Sequence, residues 1–359
     1  MKLSEISELA LLDEIRKVFI KKSRDVIVGI GDDGSVVKPL KENLVFTTDM
    51  MVEDVHFDFA FATPFQIGFK LISVNVSDIY AMGGRPIYAL LSIAAEKNTE
   101  KEVIDDLFRG VNTALDFYFT SLVGGDLSAS NKYMSLSATV FGSVRKPVRR
   151  SGAKKGDIIY VTGTLGDSAC GLELLKKIRR PLPFEYVKRT KSESWSVHFL
   201  GDFDALAPAL AREGLKRNML EPLIKRHLMP TARNPAGFVK YVTAMIDISD
   251  GLLIDLTRLC NESNVGARIY AERIPISGAL RKISSELDIS PFRFALSGGE
   301  DYELLFTAPP SKKIDYPHIG EVTESGRVIV DSRGREKPFY AEGFQHFGLY
   351  NRVGKELTK

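Results

Sequence analysis

Lys70-Leu71-Ile72-Ser73-Val74-Asn75-Val76-Ser77-Asp78-Ile79-Tyr80-Ala81-Met82-Gly83-Gly84 is an apolar stretch carrying two polar residues that need a reason. Thr63-Pro64 upstream marks a helix start, because threonine caps free N–H groups and proline is tolerated at the first helical position. Apolar residues at 67, 71, 72, 74, 76, 79 and 82 fit a helix buried nearly all round. Asn75 and Asp78 are three apart and share one face. A carboxylate on a buried helix is costly unless it is paired or bound to a metal. The sequence beside Asp78 offers no obvious basic partner, but the chain offers many more carboxylates. Several acids converging describe a cation site.

Those acids recur at the ends of apolar runs. Val26-Ile27-Val28-Gly29-Ile30-Gly31-Asp32-Asp33-Gly34, Leu44-Val45-Phe46-Thr47-Thr48-Asp49, Leu122-Val123-Gly124-Gly125-Asp126 and Ala244-Met245-Ile246-Asp247-Ile248-Ser249-Asp250-Gly251 share the form. Open α/β sheets place ligand sites at such strand ends. Each acid alone also reads as a helix cap or turn residue. Together, Asp32, Asp33, Asp49, Asp78, Asp126, Asp247 and Asp250 come with Thr47, Thr48, Ser77, Ser249 and many glycines, not with histidine or cysteine ligands. All-oxygen donors favour hard cations, and Mg²⁺ keeps waters and bridges to phosphate. The chemistry implied is metal-assisted phosphoryl transfer from a polyphosphate. The phosphate-binding loop Gly-x-x-x-x-Gly-Lys-Ser/Thr does not occur. Nor does a Gly-x-Ser-x-Gly nucleophile elbow occur. Arg150, beside Ser151-Gly152, is the arginine best placed to meet phosphate charge.

The 359 residues suggest two domains. The basic, turn-rich segment 145–156 sets the boundary, giving an α/β first domain over 1–148 and an α/β second domain over 149–359. Residues 179–220, with paired Arg and Lys, several prolines and the lone Trp195, read as an insertion of mixed helix and loop. Helices are expected over 4–21, over 100–118 behind a Thr99-to-Glu102 capping box, and from Pro235. Strands are expected over 87–95, 133–144, 157–162 and 303–307, with two more in 318–330. Val76-Ser77-Asp78 echoes Ile248-Ser249-Asp250, which hints at two related halves. A formal charge of +3 argues against a nucleic-acid partner. Cys170 and Cys260 read as small core residues. The polar, amphipathic N-terminus is unlike a secretory leader, and no apolar run is long enough to span a bilayer, so a cytoplasmic protein without a membrane partner is expected.

Further motifs complete an ordered set. To those above are added His56, Ala81-Met82-Gly83-Gly84, Arg150-Ser151-Gly152-Ala153, Val161-Thr162-Gly163-Thr164-Leu165-Gly166-Asp167-Ser168, Arg226-His227-Leu228 and Ser297-Gly298-Gly299-Glu300-Asp301-Tyr302-Glu303-Leu304. The set closely resembles the thiamine-monophosphate kinases, within the superfamily of aminoimidazole ribonucleotide synthetase and selenophosphate synthetase. The resemblance covers nearly the whole chain. It implies transfer of the ATP γ-phosphate to thiamine monophosphate, giving thiamine diphosphate and ADP. It implies an N-terminal ATP- and Mg²⁺-binding domain that forms a homodimer through a β-barrel, and a C-terminal mixed-sheet domain with helices that closes over the nucleotide. Carried over by motif, Asp33, Thr47, Thr48, Asp49, Asp78, Asp126, Asp247 and Asp250 would hold several Mg²⁺ ions, with Asp78, Asp126 and Asp247 as the catalytic acids. Gly125, Arg150 and Ser249 would contact ATP. His56, Glu300 and Phe344 would contact the thiamine phosphate. Whether K⁺ assists is left open.

The residues leave bland readings beside these: His56 as a satisfied turn histidine and Phe344 as tail packing. Within the superfamily, no cysteine precedes Cys170, which counts against a selenophosphate synthetase. An aminoimidazole ribonucleotide synthetase-like enzyme and a non-catalytic ATP-binding regulatory protein are the alternatives. The full acid set disfavours the latter, since a pure binder need not keep so many mutually repelling carboxylates.

Overall fold

The computed structural model describes residues 1–6, 8–19, 24–188, 195–200 and 216–346. The chain divides into two units. The first comprises Met1–Pro147, Ile178–Pro208 and Leu228–Ala232; the second comprises Val148–Lys177, Ala209–His227 and Arg233–Lys359. The first unit runs α1 (Glu8–Val18), β1 (Val26–Val28), β2 (Val36–Val37), β3 (Asn43–Val52), α2 (Pro64–Ala81), β4 (Arg85–Glu96), α3 (Lys101–Phe117), β5 (Ser121–Ser130) and β6 (Ser135–Val144).

Helix α2 starts as its sequence requires. The Thr63 hydroxyl accepts from the Gln66 N–H, the Gln66 side-chain oxygen accepts from the Thr63 N–H, and Pro64 takes the first helical position. Every residue from Phe65 to Ala81 is buried except Asp78, which is half-buried. Fully burying side chains such as Phe69, Leu71 and Ile72 stabilises by roughly 1.5–3 kcal/mol each. Helix α3 packs against α2 at backbone distance: a Cβ on Gly68 would meet the Leu107 carbonyl oxygen at 2.2 Å, and one on Gly110 that of Phe65 at 1.9 Å. The capping box expected over Thr99 to Glu102 does not form. Helix α3 begins one residue later, its Glu100 cap makes no side-chain bond to the first turn, and that carboxylate takes the Met1 amino group instead.

The main sheet of this unit has the order β3-β6-β4-β5, antiparallel except for the parallel β4–β5 pair. Leu136, Ala138 and Val140 of β6 are buried, and the residues between them are only half-buried. Helix α2 packs on β3 and β6. The sheet therefore has a helix-covered face and a more open one.

Part of the segment read as an insertion is an antiparallel hairpin, β8 (Phe184–Lys188) with β9 (Trp195–Phe199), counted with the first unit. Arg109 of α3 pairs with both Glu185 carboxylate oxygens at 2.7 Å, Tyr186 stacks on Phe69 at 4.7 Å, and Trp195 lies 5.7 Å from Phe117. Residues 189–194 and 201–215 of that segment lie outside the described residues.

The second unit is built on β7 (Ile158–Val161), α4 (Asp167–Ile178), α5 (Arg217–Leu228), β10 (Ala244–Asp247), α6 (Leu252–Ser263), β11 (Gly266–Tyr270), α7 (Gly278–Glu286), α8 (Phe292–Ser297), β12 (Leu304–Ala308), β13 (His318–Thr323), β14 (Arg327–Val330) and β15 (Glu336–Pro338). Its mixed sheet has the order β10-β12-β7-β13-β11-β14-β15, antiparallel except for β11–β14. After Pro235 there is only a single 3-10 turn, Val239–Tyr241, where a helix was expected. The Ser-Asp echo has no structural counterpart: Asp78 sits late inside α2, and Asp250 sits in the turn before α6. Cys170 and Cys260 are buried core thiols, and burial pushes them up to about 12 and about 11. No helix among the described residues is long and apolar enough to cross a membrane.

Candidate active site

In the first unit, one group of candidate residues lies on the seam between α2 and β3. Strand periodicity puts Thr47 and Asp49 on the same face. Helix periodicity puts Asn75 and Asp78 on the face that meets them. The Thr47 hydroxyl donates to the Asp78 carboxylate at 2.5 Å. Asn75 is fully buried, and its side-chain oxygen accepts the Asp49 N–H at 3.1 Å while its amide donates to the Leu71 carbonyl at 2.9 Å. Asn75 thus fixes the strand at Asp49, one turn before the helix presents Asp78. This resolves the cost read from the sequence: Asp78 is not fully buried, and a hydroxyl meets it.

Other candidates are placed elsewhere. The Thr48 hydroxyl donates to the Ala138 carbonyl at 3.1 Å and accepts from Thr139 at 3.1 Å, so its side chain works across the sheet. Register rows Met50–Ser137–Ser92–Asp126 and Asp49–Ala138–Leu91–Gly125 are adjacent, so Asp126 and Asp49 stand on opposite faces, at opposite edges. Packing requires a glycine at 125, because a Cβ there would meet the Leu91 carbonyl oxygen at 2.0 Å. The Ser35 hydroxyl bonds to the Val123 carbonyl oxygen, which ties the turn carrying Asp33 to the strand carrying Asp126. His56 closes the turn after β3: its Nδ1 accepts the Val52 N–H at 3.0 Å, which puts the proton of the neutral ring on Nε2.

In the second unit, the candidates gather at the turn between β10 and α6. Asp247 is buried at the end of β10. The Ser249 carbonyl accepts the Glu300 N–H at 2.7 Å, and the Asp250 carbonyl accepts the Phe344 N–H at 3.0 Å. One turn therefore holds Ser249, Asp250, Glu300 and Phe344 together. Glu300 has the left-handed φ of 64°, and its carboxylate lies 3.1 Å from the buried His227 Nδ1, which also faces the Ser168 hydroxyl at 3.1 Å. The Phe344 ring is half exposed. Arg150 is held elsewhere: its carbonyl accepts from Ser263 at the far end of α6. Ser263 is the twelfth residue of the helix that follows the turn, about 18 Å along it at 1.5 Å per residue.

Sequence reading missed the acids and arginines behind this turn. Asp255 and Arg258 of α6 hold it, and Asp255 is fully buried, which pushes its carboxyl up to about 6 against the pull of backbone N–H groups and Arg258. The visible signal was an acid in the first helical turn. Glu303, also fully buried, accepts from Arg226, Arg233 and the Thr162 hydroxyl. Asp301 caps the turn before α4, accepting from the Gly166 N–H at 2.6 Å and the Ser168 N–H at 3.2 Å.

Burial pushes the Asp301 carboxyl up to about 7. A raised carboxyl holds its proton more tightly in the folded chain than in the unfolded one. Its stabilising effect is full below about pH 4 and is lost as pH rises through about 7. Between about pH 5 and 8, the Tm of the unmodified protein should therefore fall relative to that of Asp301→Asn. Parallel Tm profiles would contradict this.

Among the described residues, no three carboxylate, histidine or cysteine groups form a cluster that could hold a metal ion. The donor chemistry still fits Mg²⁺. Asp49 and Asp78 with Thr47, and separately Asp247 and Asp250 with Ser249, are sparse all-oxygen sets. Mg²⁺ uses one or two carboxylates and fills its octahedron with water and phosphate oxygens.

Models of the AIR synthase related protein N-terminal domain and of its C-terminal domain match residues 31–144 and 207–332. A curated thiamine-monophosphate kinase of Aquifex aeolicus (strain VF5) is 36% identical over 353 residues, 97% of this chain and 100% of the relative. The chain belongs to the thiamine-monophosphate kinase family. Among solved structures, AaThiL complexed with AMPPCP and TMP is 34% identical, with a TM-score of 0.70, covering 97% of this chain and 99% of that one. The thiamine-monophosphate kinase of Stenotrophomonas maltophilia K279a is 31% identical, with a TM-score of 0.73, covering 92% and 98%. The two domain models leave out residues 145–206, so the β8–β9 hairpin lies outside both matches.

Proposed function

We propose that this chain is an ATP-dependent kinase that converts thiamine monophosphate to thiamine diphosphate. The observation that carries the reading is the near full-length likeness to a relative complexed with AMPPCP and TMP. The gathering of Ser249, Asp250, Glu300 and Phe344 at one turn supports it. A phosphate oxygen of thiamine monophosphate attacks the γ-phosphorus of ATP. The new P–O bond forms as the bond to the β-phosphate oxygen breaks, and ADP leaves with that electron pair. The acceptor is already an oxyanion, so no general base is required.

Repulsion between two polyanions is the obstacle. Bound Mg²⁺ supplies charge neutralisation at the phosphates. Asp33, Thr47, Thr48, Asp49, Asp78 and Asp126 of the first unit would hold such ions, as would Asp247 and Asp250 of the second. Ser249 of the second unit would contact ATP; the family motif also gives Gly125 and Arg150 as ATP contacts, and Arg150 is held at the far end of α6 from the Ser249 turn. Glu300 and Phe344 suit a flat, cationic thiazolium, and His56 would present Nε2–H to the substrate. Holding acceptor and donor in line can supply roughly 7–11 kcal/mol in favourable systems.

We also infer a cytoplasmic homodimer formed through β-strand packing by the first domain, taken as residues 1–148. Leu44, Phe46 and Met50 of β3 stand exposed, and Phe46 meets Phe141 edge-on at 5.1 Å. An exposed apolar row of this kind marks an interaction surface. An aminoimidazole ribonucleotide synthetase-like activity is not favoured, because the curated relatives at 31–36% identity are named as kinases.

Acceptor choice tests the reading. With ATP and Mg²⁺, thiamine monophosphate should be consumed and unphosphorylated thiamine should not. Equal use of both would overturn the assigned acceptor.

A further inference from the structure

The Ser249-Asp250-Gly251 turn is fixed from behind by one carboxylate. Asp255 sits in the first turn of α6 with no exposed surface. Its Oδ2 accepts the N–H groups of Ser249 at 3.2 Å, Asp250 at 3.0 Å and Gly251 at 3.1 Å. Its Oδ1 accepts from Arg258 Nη1 at 2.7 Å, and the same nitrogen donates to Asp250 Oδ2 at 2.6 Å. An acid at a helix N-terminus is favoured by the helix dipole, and charge-assisted bonds of this kind are the strong ones.

The backbone of the turn is thereby committed. Its three N–H groups point to Asp255, while the Ser249 and Asp250 carbonyls go to Glu300 and Phe344. What the turn has left to present is its side chains. We propose that Asp255 is the positioning residue of this turn. It spends the turn's N–H groups so that Ser249 meets the nucleotide through its hydroxyl, and it anchors the arginine that aims the Asp250 carboxylate. The proposal rests on the reading of Ser249 and Asp250 given above.

The test uses the full-length protein and titrates Mn²⁺ with AMPPCP by paramagnetic resonance, beside circular dichroism and Tm. Asp255→Asn keeps an acceptor for the turn but loses the charge that anchors Arg258. A folded Asp255→Asn should bind Mn²⁺ about 10–100-fold more weakly, the scale seen when a ligand's supporting partner is removed. Unchanged Mn²⁺ affinity, with or without a lower Tm, overturns the proposal, because a merely structural role would move only Tm. If the asparagine variant does not fold, Asp255→Glu decides. It keeps the charge but displaces the acceptor by a methylene, and the same loss is expected. Asp250→Asn is run in parallel. If Asp250→Asn binds Mn²⁺ normally, the reading of the site fails. If only the Asp255 variants bind normally, the positioning role fails alone.

Discussion

Asp78→Asn should lower turnover by about 10²–10³-fold or more while leaving the protein folded, the scale of losing one preorganised electrostatic contact. The asparagine keeps the shape of the side chain and an oxygen for the Thr47 hydroxyl, which now donates to the carboxylate at 2.5 Å. It removes only the charge. Asp78 is half-buried in a helix otherwise buried from Phe65 to Ala81, so the substitution empties no core space. Asn75 would still hold β3 at Asp49. Stopped-flow or coupled assays of ADP release, with circular dichroism on the same sample, give the result. A folded variant with ordinary turnover would contradict a role for Asp78 in holding metal.

Glu303→Ala should destabilise the second unit by about 3–5 kcal/mol, the usual loss when one partner of a buried ion pair is removed. Glu303 has no exposed surface, and its carboxylate takes Arg226, the Nη2 and Nε of Arg233 at 2.6 and 2.8 Å, and the Thr162 hydroxyl at 2.5 Å. Burial alone would push its carboxyl up, but Arg226 and Arg233 more than offset this and hold it below the usual carboxylate range. It is therefore ionised at neutral pH. Its stabilising effect is present above the ordinary carboxylate range and is lost as pH falls through its lowered value. Without it, Arg226 is left as a largely buried, unpaired cation. Chemical denaturation at neutral pH measures the loss. A denaturation midpoint unchanged from the unmodified protein would contradict it.

What was legible in the sequence was local. The Thr63-to-Gln66 capping box and the burial of α2 follow from neighbouring residues, and so does the strand-to-turn form at Asp247 to Gly251. The same logic failed at Thr99, where the Met1 amino group captured Glu100. It failed again after Pro235, where only one 3-10 turn forms. The hairpin β8–β9 was hidden because its anchors, Arg109 to Glu185 and Phe69 to Tyr186, join residues far apart in the chain. The supports of the site were hidden for the same reason. Glu303 meets Arg226 and Arg233 some seventy positions away, and the hold of Asp255 on the turn depends on a three-dimensional convergence of N–H groups. The candidate side chains themselves were visible because their chemistry, oxygen donors beside glycines at strand ends, is written in short runs.

The most direct measurement is the joint time course of ADP and thiamine diphosphate with purified protein, ATP, Mg²⁺ and thiamine monophosphate. Kinase action predicts equal amounts of both products at every time, with neither formed when Mg²⁺ is chelated. ADP formed with inorganic phosphate and no thiamine diphosphate, or ATP bound with no product at all, would contradict it.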